Sequence, residues 1–267
     1  MDKKRLIKYL VITFLITWLC WWGEAFLLFI TPLTNLDVFP MVLFTLGGFG
    51  PTIAALLCIN GGLSRGNIRA FLFHNTKRNW LVMIIAVAME TLAFSVCSNG
   101  IADMIPKTPV AVMMILSVFL QATVLYGGNE ELGWRGTMQP ILKQAMPSPA
   151  ATLLVGIVWV CWHIPLWFIA GDSHQSMSFL SFAILGIALS YWLSAIYDIT
   201  GAVVFCMILH GVTNTLMGVL NVNQGTVYYV SIAVLTGISI AASVFTKKKR
   251  SETGVTVNPN LTRSTDE

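Results

Sequence analysis

Apolar residues in this chain come in long blocks, separated by short polar interruptions. Eight such blocks can be cut, at about 6–30, 38–58, 80–98, 109–126, 150–170, 178–196, 202–220 and 227–245. Each is close to the ~20 residues a helix needs to cross the hydrocarbon layer of a bilayer. None repeats a period-two alternation in ~10-residue units, which an outer-membrane barrel would require. The pattern predicts an all-α polytopic membrane protein, a bundle of about eight transmembrane helices. A single integral domain is expected over residues 1–246, with a motif-bearing core at about 120–220. Residues 247–267 are polar and are expected to form a disordered tail.

Composition sharpens this picture. The 267 residues are 56% hydrophobic and only 10% charged, with a mean hydropathy of +0.75. Soluble domains run at about 45–50% apolar and about 25% charged. There is too little polar side chain to coat a soluble globule, and the chain is too apolar for disorder, coiled coil or collagen. The net charge of +4 reads as membrane topology and not as a nucleic-acid surface. With the N-terminus in the cytoplasm, fifteen of the sixteen Lys and Arg residues fall on the cytoplasmic side, and only Lys107 lies outside. That bias predicts an even number of spans and cytoplasmic termini. The first block follows a basic stub, has no small-x-small site after it, and is expected to stay as a signal-anchor helix. Asn260-Leu261-Thr262 is a formal glycosylation sequon but lies on the cytoplasmic side in this topology. Cys20, Cys58, Cys97, Cys161 and Cys206 lie in or beside apolar stretches with no CxxC, as expected of small core residues.

Ionisable residues inside apolar spans are costly and are functional candidates by default. They are Glu24, Glu90, His163 and His210, with Glu130, Glu131 and Arg135 at the inner end of the fourth block. In the run Tyr126 to Arg135, Glu131 and Arg135 are i,i+4 neighbours in the favourable order, so Arg135 can neutralise Glu131. Glu130 points about 100° away and stays free. The alternative is a solvated interfacial loop with an incidental salt bridge. In the fifth block Trp159 precedes His163 by one helical turn, and Pro165 can loosen the helix beyond it. In the seventh, His210 and Asn214 are again i,i+4 and share a groove; interhelical hydrogen bonding is the plainer use of such residues. Together they put a carboxylate, two imidazoles and an amide on three spans. Amide hydrolysis needs such a set: a base, a partner to orient water, and donors for the oxyanion. Glu130, His163 and His210 are equally a donor set for a zinc ion.

These segments, in this order, resemble the CPBP (Abi) family of intramembrane proteases, which includes the type II CAAX prenyl endopeptidases. The family pattern EExxxR, FxxxH, HxxxN/D reads here as Glu130-Glu131-x-x-x-Arg135, Trp159-x-x-x-His163 and His210-x-x-x-Asn214. Trp159 stands where the family usually has Phe, which reshapes the pocket behind His163. The resemblance implies that Glu130 activates water and His163 positions it. His210 and Asn214 would then stabilise the oxyanion, with Glu131 and Arg135 holding the motif in shape. It implies a glutamate-dependent, metal-free hydrolase, with a zinc enzyme ligated by Glu130, His163 and His210 as the other possibility. Members resembling bacteriocin self-immunity proteins and peptide-processing enzymes point to a bacterial cell membrane and a membrane-associated peptide or protein substrate. The expected partners are that substrate and the bilayer, with no nucleic acid. The competing readings are a non-catalytic immunity or scaffold protein of the same fold, and a small transporter using Glu24 and Glu90.

Overall fold

The computed structural model describes residues 2–59, 64–73, 79–98 and 109–253, and among these no strand occurs. The elements in order are α1 (Lys3–Ile30), α2 (Val38–Gly48), α3 (Gly50–Leu57), α4 (Arg65–Phe73), α5 (Trp80–Val96) and α6 (Pro109–Val124). A broken helical segment follows: a 3-10 turn (Gly128–Glu130), α7 (Glu131–Gly133), a π turn (Trp134–Met138) and α8 (Gln139–Lys143). Then come α9 (Ser148–Trp162), two 3-10 turns (Ile164–Phe168, Ser173–Ser176), α10 (Phe179–Thr200), α11 (Val203–Val219) and α12 (Thr226–Thr253). α12 runs past Lys247 into the stretch expected to be a tail, and from residue 254 that expectation lies outside the described residues.

All eight apolar blocks become helical, but the count of spans is lower than eight by length. Among the described residues five helices are long and apolar enough to cross a membrane, or six with α2 and α3 taken as one bent span. α5 and α11 have only 17 residues each, the short end of the ~17–25 that span a bilayer. α1 shows why such helices suit lipid. It turns Tyr9, Thr13, Thr17, Trp21 and Glu24 inward and exposes Ile7, Val11, Leu15, Leu19 and Phe26. The polar face is the buried one, the reverse of a soluble helix. Of the cysteines, Cys58, Cys97 and Cys206 are buried, Cys20 is half-buried and Cys161 is exposed, all unpaired.

Helices α2 and α3 meet at a 46° bend. Pro51 has no N–H, so it cannot serve the carbonyl of Gly47 four residues back. The Thr17 hydroxyl of α1 donates to that carbonyl instead, at 2.6 Å. In lipid a backbone carbonyl freed by a bend needs such a substitute. The indole of Trp21 donates to Phe44 O at 2.9 Å beside it.

The broken segment threads the middle of the bundle, and every residue from 127 to 142 is buried. Its N-terminal end is tied to the α2–α3 bend. Asn129 donates through Nδ2 to Gly48 O (3.0 Å) and its own carbonyl accepts from the Thr52 hydroxyl (2.6 Å). Its C-terminal end is tied to α10, where Lys143 Nζ reaches both oxygens of Asp198 and the hydroxyl of Ser194 within 2.8 Å. Gly127 makes the break possible, with φ at +130°, a region that side-chain-bearing residues avoid. Thr17→Val keeps the shape of the side chain but removes the hydroxyl that donates to the Gly47 carbonyl. It should lower stability by about 1–2 kcal/mol, read as a reduced thermal-unfolding midpoint in detergent.

Candidate active site

The two adjacent glutamates take different partners. Glu131 Oε1 accepts from Arg135 Nη1 at 3.0 Å and from His210 Nδ1 at 2.8 Å. The side chains of Glu131 and Arg135 are fully buried. A carboxylate paired with a guanidinium only accepts, so His210 donates through Nδ1 and presents Nε2 to the site. The i,i+4 ion pair expected from sequence is present, and it reaches one residue further, to α11. The expected alternative, a solvated interfacial loop, is not what this segment forms.

Among the described residues Glu130 has no cation within its hydrogen-bonding shell. Its Oε2 accepts from the indole N–H of Trp159 at 2.6 Å and, more weakly, from that of Trp134 at 3.4 Å. No hydrogen bond among the described residues engages Oε1. Adjacent carboxylates repel. The pair avoids the conflict by rotation: one side chain turns to Arg135 and His210, the other to two neutral donors.

α9 stops at Trp162, and His163 occupies its C-terminal cap, followed by the 3-10 turn that holds Pro165. His163 is therefore at a helix end and not inside a continuous helix. Its Nδ1 lies 2.8 Å from Trp159 O. A carbonyl cannot donate, so Nδ1 carries the proton and Nε2 is left as an acceptor. Trp159 packs edge-on against both imidazoles, with ring centroids 4.9 Å from His163 and 5.5 Å from His210. The one-turn spacing does bring Trp159 onto His163, but edge-on at 90° and not stacked, and the indole also reaches Glu130 and His210.

Asn214 donates through Nδ2 to Tyr126 O at 2.8 Å, which fixes the amide against the break and leaves its second N–H free. A Cβ placed on Gly127 would run into Asn214 Nδ2 and lie 2.9 Å from His210 Nε2. Gly127 thus keeps open the space in which His210 and Asn214 meet the motif segment. The structure brings together Glu130, Glu131, Arg135, Trp159, His163, His210 and Asn214.

Residues 108–216 match the family model described as type II CAAX prenyl endopeptidase, Rce1-like. The match covers 109 of the 267 residues, less than half of the chain. No curated protein matches the chain significantly. All seven residues just named fall within the matched segment. The family is one of proteases, and family and helices together make the chain an integral membrane protein.

Several residues around this site were not singled out from sequence. Asn129 accepts from the Gly127 N–H at 3.1 Å as well as tying the segment to the bend, and a polar residue between the two glycines and the two glutamates was a readable signal. Trp134 stands one helical turn after Glu130, so spacing alone could have found it. His174 lies in the connection between α9 and α10. It stacks on His163 at 6.3 Å and is held by Asp172 at 2.6 Å; no local pattern marks that proximity. Glu90 lies elsewhere. It accepts the hydroxyl of Thr213 and lines an apolar cavity of about 200 Å³ between α5, α10, α11 and α12. Glu24 is buried on the inner face of α1.

Among the described residues no group of three His, Cys, Asp or Glu side chains is placed to hold a metal ion. Glu130, His163 and His210 do not converge as such a set. The different partners of the two glutamates give a direct contrast. Glu131→Gln strands the buried charge of Arg135 and should cost about 3–5 kcal/mol. Glu130→Gln removes no ion pair and should unfold close to wild type. Denaturation in detergent micelles compares the two.

Proposed function

We propose that the chain is an intramembrane endopeptidase of the CAAX type, in which Glu130 activates the hydrolytic water. The observation that carries this reading is the split between the glutamates. Glu131 is held through Oε1 by Arg135 and His210, with its Oε2 buried and unpartnered among the described residues, while Glu130 meets only neutral indole donors, the nearer from the ring that packs on both imidazoles. A carboxylate buried without a cation is poorly suited to a purely structural role. It is well suited to accepting a proton.

The residues supply a consistent sequence of steps. Nε2 of His163 accepts a hydrogen bond from the water and aims it. Oε1 of Glu130 takes the proton as the water oxygen adds to the scissile carbonyl carbon. The oxyanion is met by the free N–H of Asn214 and by His210 when its Nε2 carries a proton. The C–N bond then breaks, and Glu130 returns its proton to the leaving amine. The water thus ends divided between the new carboxyl and the new amine, and no metal or other cofactor is consumed.

The substrate in this reading is a membrane-associated peptide or protein, cut within it or near its C-terminus, with a prenylated CAAX sequence as the first candidate. The termini lie in the cytoplasm of a bacterial cell, as the charge asymmetry suggests. Glu130→Gln should reduce cleavage of such a peptide by at least about 100-fold while a chelator leaves the wild-type rate unchanged. The check is an in vitro assay of purified protein on a lipidated CAAX peptide and on unmodified membrane peptides. Turnover retained by folded Glu130→Gln, or lost to chelator and restored by zinc, would overturn the mechanism.

A further inference from the structure

Glu130 has an unusual problem for a residue assigned to take a proton. Its neighbour Glu131 carries the same charge, and the nearest guanidinium already serves Glu131. The terminal torsion of a glutamate is broad and two-fold, so nothing intrinsic aims the carboxylate. The only donors on it among the described residues are two indoles, both on Oε2, and the strong one is Trp159. We propose that Trp159 is a positioning residue that aims the Glu130 carboxylate, with Oε2 pinned so that Oε1 faces the water. This rests on the reading of Glu130 as the base. The phenylalanine found at this place in the family pattern could pack against His163 but could not donate to Glu130.

The surroundings are built to hold an indole there. Trp159 is buried, 4% exposed. Its ring stands nearly perpendicular to both imidazoles, at 90° to His163 and 81° to His210. α10 makes room for the extra ring with Gly186, where a Cβ would sit 3.0 Å from Trp159 Cζ3 and 2.9 Å from Val160 Cγ2. The backbone carbonyl of Trp159 is also used, holding Nδ1 of His163 at 2.8 Å. One residue therefore sets the carboxylate through its side chain and the imidazole through its main chain, which couples the two groups that share the water.

The inference is tested on the full-length protein by two readouts. In the peptide assay, Trp159→Phe keeps the ring and deletes the N–H. It should lower kcat on the order of ten-fold, with KM within about two-fold, since the lost bond orients a charged acceptor and does not touch substrate. Trp134→Phe removes the longer bond and should cost less. An unchanged kcat in folded Trp159→Phe overturns the proposal. The second readout needs no activity. The indole N–H resonance of Trp159, assigned by through-bond correlation, should lie downfield in wild type and move upfield in Glu130→Gln. A resonance indifferent to that substitution overturns the proposal even where Trp159→Phe fails to fold. If wild type cleaves nothing while the resonance moves, the bond stands and it is the protease reading that fails.

Discussion

A guanidinium buried completely inside a helical bundle dictates much of what surrounds it. The Arg135 side chain is fully buried, and taking a guanidinium charge out of water costs several kcal/mol. Glu131 offsets that cost, and His210 completes the shell around the shared oxygen. The three residues come from two elements, α11 and the segment 128–143. Their network therefore fixes how α11 lies on the broken segment, and with it the place of Asn214 one turn beyond His210. The low local dielectric that makes the charge expensive also makes each of these bonds stronger.

The second consequence of that network is chemical. Two adjacent carboxylates in an apolar interior cannot both go unneutralised, and a single cation can satisfy one. The other is left with the indoles of Trp134 and Trp159, in a wall of rings that also includes Trp21 and Trp162, whose centroids lie 4.6 Å apart. Indole N–H groups donate without bringing charge. They orient Glu130 without cancelling the basicity that proton abstraction requires. A lysine or arginine in either place would hold the carboxylate as firmly and quench it.

The membrane class and the helical blocks were legible because burial in lipid writes itself as uninterrupted apolar sequence. The Glu131–Arg135 pair and the grouping of His210 with Asn214 were legible because both are i,i+4 contacts, which helix geometry alone enforces. The contact of Trp159 with His163 was legible for the same reason. What spacing could not give was any contact between elements. The reach of Glu131 to His210, the indole of Trp159 on Glu130 and the approach of His174 to His163 each join residues that only the tertiary fold brings together. The interruption at Gly127 was hidden as well. Two glycines permit a break without requiring one, and the deciding factor is the collision that a side chain at 127 would make with His210 and Asn214. α5 and α11 are described as only 17 residues each, because apolar length in sequence includes residues that cap or turn.

The matched family segment, residues 108–216, is not self-sufficient. Asn129 at its heart hydrogen-bonds to Gly48 and Thr52, and the bend that presents those groups depends on Thr17 of the first helix. A fragment trimmed to the matched boundaries would carry every residue of the proposed chemistry and none of this bracing. The N-terminal third of the chain is thus a scaffold in the literal sense. Heritable changes there, far along the sequence from any motif, can silence the site without touching it.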